Sequence, residues 1–380
     1  MRTRRGNCAS SSNTLIAVAA LGVVAIDTPW MTASAAGKCE LKAVAQVPVV
    51  YEGGRLLVAA TIDGQPAHML IDSGSSTSLI FRGAAAAFGM EVVGDGGKAY
   101  TAGGIENQGR VTVRDFNLAG FTVHDLTLTA SGHSAMSADH AGALGEDFLS
   151  HWDEEFEPGA SIMRLIVPHE CTGDQVEYWA PAYNMVRLQI GGDAWSQLLL
   201  ADVQVNGHDI TAVFDTGAPY TIIESAAVRR PGLHPNMQTA IGQEGSGLGP
   251  AKFAIDTATF NSITIGQETI QNPRVVVADI WSKNNETKLG SIIPSEPEGT
   301  PEMLIGADFF RAHHVYVARG QRKLYFTYTG GNIFATPHLG SAGVAQPGLQ
   351  SPSPEPSAAQ PPSASPAAQH SPSPTSPAPK

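Results

Sequence analysis

The chain contains one unit written twice, and that duplication limits the folds open to it. With an offset of 143 residues, Asp63-Gly64 falls on Asn206-Gly207 and Leu70-Ile71 on Val213-Phe214. Asp72-Ser73-Gly74 falls on Asp215-Thr216-Gly217, and Leu79-Ile80 on Ile222-Ile223, with no gap. Downstream, Ala143-Leu144-Gly145-Glu146-Asp147-Phe148 is echoed by Leu304-Ile305-Gly306-Ala307-Asp308-Phe309. Two copies of a lobe, each supplying one carboxylate after an apolar run, can bring a pair of carboxylates together where they meet.

The pattern within each copy is that of strands. Leu56–Ile62 and Ala67–Ile71 are joined at Asp63-Gly64; Leu198–Val205 and Ile210–Phe214 are joined at Asn206-Gly207. Asp-Gly and Asn-Gly favour two-residue hairpin turns, because both central positions need positive φ. Further strands are predicted at Val111–Asn117, Phe121–Ala130, Phe253–Phe260, Ile263–Ile265, Arg274–Ala278, Val315–Val317 and Lys323–Thr327. Helix is predicted only in short turns at Gly83–Phe88 and Phe148–His151. Many short strands with Gly turns indicate an all-β architecture. Asp72 to Gly145 is 73 residues and Asp215 to Gly306 is 91; the excess of 18 is assigned to 280–301, whose Asn, Ser, Pro and Glu suit a surface loop.

The two ends differ from this middle. Arg2, Arg4 and Arg5 precede twelve apolar residues, Leu15–Ile26, and an A-x-A site at Ala33-Ser34-Ala35. That is an export leader, cut after Ala35 or Ala36; an uncleaved anchor is the alternative, although twelve residues are short for a span. From about residue 337 the chain is Pro, Ser and Ala with almost no aromatics, a composition that stays disordered. The expected domains are a signal at 1–36, a first lobe at 37–172, a linker at 173–184, a second lobe at 185–335 and a tail at 336–380. The product is exported, to the periplasm or the medium, with no membrane span once the leader is removed. Removal of the leader takes the net charge from −12 to near −14. That excludes nucleic acid as a partner, which needs a basic surface. Cys39 and Cys171 bracket the first lobe; in an exported chain they form a disulfide, or else remain as two free thiols.

The triplets carry the chemistry. Two carboxylates about 3 Å apart cannot both ionise, so the pair shares a proton. One member then acts as base toward a water and the other as acid toward a carbonyl oxygen. The Ser73 and Thr216 hydroxyls are placed to bond across the lobe interface, and Gly74 and Gly217 allow close backbone approach. Leu144-Gly145 and Ile305-Gly306 are expected to pack beneath these loops. Ser75 can donate to Asp72 while Ala218 offers Asp215 no hydroxyl, so the shared proton is expected to rest on Asp215.

By Asp72-Ser73-Gly74-Ser75 and Asp215-Thr216-Gly217-Ala218 the chain resembles the aspartic peptidases of the retropepsin-like and pepsin-like type, over about residues 45–330. It looks most like bacterial proteins with two such lobes fused in one chain. The resemblance implies two six-stranded, barrel-like lobes in tandem with a substrate cleft between them. It implies Asp72 and Asp215 as the catalytic dyad, a peptide or protein substrate, and no metal or organic cofactor. Since one chain supplies both halves of the dyad, a monomer suffices. The resemblance also implies hairpin flaps over the substrate, placed at Tyr100-Thr101-Ala102-Gly103-Gly104 and at Ala240-Ile241-Gly242 to Gly247; an exposed hairpin without substrate contact is the alternative. The competing function is a non-catalytic peptide-binding β module of the cell envelope, which would not need both aspartates.

Other motifs carry less. Gly245–Gly249 lacks the strand-to-helix setting of a phosphate loop. Twelve His residues show no paired metal spacing, and His313-His314 is assigned a structural or surface role. Ser73–Ser78 forms no G-x-S-x-G elbow. Trp152 and Trp195 are assigned to packing.

Overall fold

A computed structural model describes residues 39–132, 140–171, 176, 178–189, 195, 197–238, 243–282, 299–334 and 336. The expected leader, the tail beyond residue 336, the flap residues Ala240, Ile241 and Gly242, and most of the expected surface loop (283–298) lie outside the described residues.

The first copy forms β1 (Glu40–Glu52), β2 (Arg55–Ile62), β3 (Gln65–Ile71), β4 (Leu79–Phe81), β5 (Val93–Thr101), β6 (Gly104–Leu118), β7 (Phe121–Ser131), β8 (Gly142–Leu144), β9 (Asp153–Glu157) and β10 (Ile162–His169). The second forms β11 (Asn184–Arg187), β12 (Leu200–Val205), β13 (His208–Phe214), β14 (Ile222–Glu224), β15 (Asn236–Gln238), β16 (Glu244–Ser246), β17 (Lys252–Thr259), β18 (Ser262–Ile265), β19 (Glu268–Gln271), β20 (Arg274–Ala278), β21 (Met303–Ile305), β22 (His313–Ala318) and β23 (Lys323–Tyr328). Short helices follow β4, β8, β14 and β21: α1 (Arg82–Ala87), α2 (Glu146–Leu149), α3 (Ser225–Val228) and α4 (Ala307–Ala312). Among the described residues no helix is long and apolar enough to cross a membrane. The fold is mostly β, as expected.

The two copies wind identically. One runs β2-β3-β8-β4-β7-β6 across its sheet, the other β12-β13-β21-β14-β20-β17. In each, the strand before the aspartate runs parallel to the apolar-apolar-Gly strand, and β4 and β14 stand parallel to β7 and β20. β2 also pairs with the far end of β6, and β12 with β18, which curls each sheet into a barrel. The hairpin turns are as expected, with Asp63 and Gly64 at φ 49° and 80°, and Asn206 and Gly207 at 53° and 79°. β6 alternates so that Val111, Val113, Phe116 and Leu118 point inward.

A third sheet joins the copies, in the order β11-β23-β22-β9-β10-β1, with its seam where Val315 meets Phe156. Its inner face gives Phe156, Val315, Val317 and Phe326 to the main core. Its outer face is covered by Val176, Tyr178 and Trp179. Trp179 stacks on the His314 ring at 4.3 Å, and the Tyr178 hydroxyl donates to Glu155 at 2.6 Å. The Cys39–Cys171 disulfide lies in the same cluster. It forms between residues 132 apart in sequence; a loop of this length contributes about 5 kcal/mol in the chain-entropy picture. The alternative of two free thiols falls.

β9 was missed in the sequence because Asp153-Glu154-Glu155 reads as a solvated loop, yet all three are buried. Each is paired. Arg319 donates to Glu154 at 2.6 Å and to Glu146 at 2.5 Å. Arg164 and His314 hold Glu155 at 2.9 and 2.7 Å, and the Tyr316 hydroxyl donates to Asp153 at 3.1 Å. His313, also buried, lies 2.8 Å from the Phe309 carbonyl and 3.2 Å from Glu268. The histidine pair is therefore structural rather than superficial.

Candidate active site

β3 and β13 each end in an aspartate whose amide is pinned to the neighbouring parallel strand. Asp72 N–H donates to Leu144 O at 3.0 Å, and Asp215 N–H to Ile305 O at 2.8 Å. The chain then turns back, with Ser75 and Ala218 amides reaching the aspartate carbonyls at 3.2 Å each. Gly145 and Gly306 lie against these loops: a Cβ on Gly145 would stand 2.6 Å from the Thr77 carbonyl carbon, and one on Gly306 2.5 Å from that of Tyr220.

A second support was not recognised in the sequence. Asp147 accepts from the Ser78 N–H and hydroxyl at 2.7 and 2.6 Å, and the Ser78 hydroxyl oxygen accepts from Gly145 N–H at 3.0 Å. Asp308, Thr221 and Gly306 repeat the arrangement at 3.0, 2.8 and 3.1 Å. The signal was present: Asp147 and Asp308 lie in the downstream echo, and Ser78 and Thr221 align at the offset of 143.

Between the copies the hydroxyls cross. Thr216 Oγ1 accepts from Ser73 N–H at 3.0 Å and donates to Ile71 O at 2.8 Å. Ser73 Oγ accepts from Thr216 N–H at 3.1 Å and donates to Phe214 O at 2.7 Å. This buried clamp locks the two aspartate loops face to face. Gly74 lies directly against the Asp215 carboxyl and Gly217 against that of Asp72, so closely that a Cβ at either place would collide with the carboxyl.

The carboxyls of Asp72 and Asp215 are thereby held as buried neighbours across the seam. Burial pushes both above the usual carboxylate range. The rise at Asp72 is the larger, because the neighbouring Asp215 charge adds to it and only one amide, that of Gly74 at 3.1 Å, opposes it. At Asp215 the amides of Ala218 and Gly217, at 3.1 and 2.9 Å, favour the charged form. Two amides at Asp215 against one at Asp72 favour the charge on Asp215 and the proton on Asp72. This reverses the expectation from Ser75, whose hydroxyl donates instead to Thr77 O at 2.8 Å. Backbone amides, which composition does not distinguish, decide the asymmetry.

The carboxyls form the floor of a cleft of about 960 Å3. Tyr100, Thr101 and Ala102 line it from the β5–β6 hairpin, with Gly103 at the tip in a left-handed conformation (φ 88°). This tip meets the loop after β16: Gly249 N–H donates to Ala102 O at 3.0 Å and Ala251 N–H to Gly103 O at 2.9 Å. Gly103 N–H also donates to Ile280 O at 3.2 Å. The two hairpins thus bridge the cleft from opposite lobes. Two further residues in the cleft were not singled out as site residues. Arg55, at the start of β2, donates from Nε to Gly217 O at 3.3 Å, and its charge lowers the pKa of both aspartates. Trp195, assigned to packing, does pack against Trp281 at 5.5 Å, but both indoles line the cleft.

The aspartyl protease family matches this chain in two segments, residues 58–148 and 201–309, one in each copy. No curated protein matches it. Among solved structures it is similar to the aspartic proteinase from Irpex lacteus, at 11% identity and a TM-score of 0.44, covering 75% of this chain and 97% of the other.

Proposed function

The chain belongs to the aspartyl protease family, and we propose that it is an exported endopeptidase whose Asp72/Asp215 dyad activates a water. The observation that carries this reading is the pair of neighbouring carboxyls, one from each copy, on the floor of a cleft bridged by two hairpins. With the proton on Asp72, Asp215 is the base. It takes a proton from water as the oxygen attacks the scissile carbonyl carbon, while Asp72 gives its proton to the carbonyl oxygen. The tetrahedral diol then collapses: the amine leaves with the proton held by Asp215, and a diol hydroxyl returns its proton to Asp72. The Ser73/Thr216 clamp keeps the carboxyls in register throughout. The leader-like N-terminus and the disulfide support export.

The test is digestion of a mixed peptide library with and without a statine peptide, which mimics the diol. Cleavage suppressed by statine is expected. Absence of cleavage, or cleavage that statine leaves intact, contradicts the reading.

A further inference from the structure

The two walls of the cleft are related by the same duplication as the two aspartates, so they can be compared position by position. In the first copy the hairpin register pairs Ile62 with Gln65 and Leu57 with Leu70; carried onward, it sets Arg55 opposite Asp72. In the second, Val205 pairs with His208 and Leu200 with Val213, which sets Leu198 opposite Asp215. Three residues earlier stand Glu52 and Trp195 respectively. All four line the cleft. Equivalent places beside the two carboxyls therefore hold opposite chemistry, charged in one lobe and apolar in the other.

The apolar wall is built. Trp195 and Leu198 are buried with Phe253, Trp281 and Leu304 in one cluster. Trp281 donates its indole N–H to Pro301 O at 3.0 Å; among the described residues the buried Trp195 Nε1 has no partner. The facing wall has Arg55, Lys98, Gln108 and His140. Among the described residues Arg55 makes no ion pair; its Nε bonds to Gly217 O and leaves the rest of the guanidinium to the cleft. Glu52 lies 3.7 Å from His140 Nε2.

We propose that this cleft takes a substrate with a bulky apolar side chain on one side of the scissile bond and an acidic side chain on the other. The first rests on the Trp195–Leu198 wall; the second pairs with Arg55. The inference depends on the peptidase reading, because the dyad defines the two sides.

The test uses peptide pairs that differ only by Glu or Gln next to the scissile bond, opposite a Phe or Leu. They are assayed at about pH 6, where a free Glu is ionised. A charge-assisted hydrogen bond to Arg55 favours the Glu peptide by about tenfold in kcat/KM. Arg55→Gln should remove that ratio and Arg55→Glu should invert it toward a Lys peptide. Because Arg55 also acts on the dyad, the readout is a ratio at one pH, in which a changed dyad titration cancels. Equal rates for Glu and Gln in the wild type, or a preference that survives Arg55→Gln, overturn the proposal while leaving the peptidase intact. If no peptide is cleaved, the peptidase reading fails and statine peptides bearing Glu or Gln decide by affinity. Tighter binding of the Glu form that is lost in Arg55→Gln supports the subsite. Equal affinity, or no binding, overturns it.

Discussion

Arg55 lowers the pKa of both dyad carboxylates by its positive charge, so its removal must raise them. Activity that needs one ionised carboxylate is then lost at a higher pH. The acidic limb of the pH–rate profile should move upward in Arg55→Gln, as measured on a neutral peptide. Ser75→Ala should leave that limb where it is, since the Ser75 hydroxyl is turned toward Thr77 O. A shift in Ser75→Ala with none in Arg55→Gln would restore the hydroxyl-based assignment. The pair of aspartates was legible in the sequence because the duplication marks each by the other. Arg55 was not, because its place opposite Asp72 follows only from the register of a hairpin. The proton's place was misread for a related reason: a side-chain hydroxyl is visible in a sequence, whereas the Gly217 and Ala218 amides that favour the charge on Asp215 are common to every residue but proline.

At the scale of elements, the two hairpins that bridge the cleft depend on close backbone approach. A Cβ on Gly103 would collide with the Ala251 carbonyl, and its φ of 88° is one that other residues rarely adopt. Gly103→Ala should therefore hold the tips apart. It should lower kcat/KM by on the order of tenfold to a hundredfold, by analogy with a misplacement of about 1 Å. Normal activity in that variant would mean that tip contact has no part in turnover. The hairpins around Asp63-Gly64 and Asn206-Gly207 were legible because their turn chemistry is local. β9 was not, because three successive acids argue for solvent until Arg319, Arg164, His314, Tyr178 and Tyr316 arrive from distant parts of the chain.

For the whole molecule, the buried acids of the third sheet predict how stability follows pH. Burial pushes Glu154 up to about 8 from an ordinary value of 4.5, against the opposing charge of Arg319 and with Glu146 adding to the rise; Asp153 is raised to about 6. The folded chain holds these protons more tightly than the unfolded one, so their contribution is full at low pH and is lost as pH rises through these values. The thermal midpoint should fall between about pH 4.5 and 8, and Glu154→Gln should flatten that fall; calorimetry across the range reads both. A wild-type midpoint that rises over this interval would contradict the assignment. At this scale the duplicated, mostly β plan was legible from the repeat alone. The sheet that joins the copies was not, since its seam pairs segments about 160 residues apart in β9 and β22 with no shared local pattern. The central claim, a dyad assembled within one chain, is tested most directly by mixing two inactive variants. Asp72→Asn and Asp215→Asn should each lose at least about a thousandfold in kcat, since the two carboxyls act as a unit, and an equimolar mixture should remain as inactive as either alone. Activity regained on mixing would show that the dyad forms between chains, and near-normal activity in either single variant would place the chemistry elsewhere.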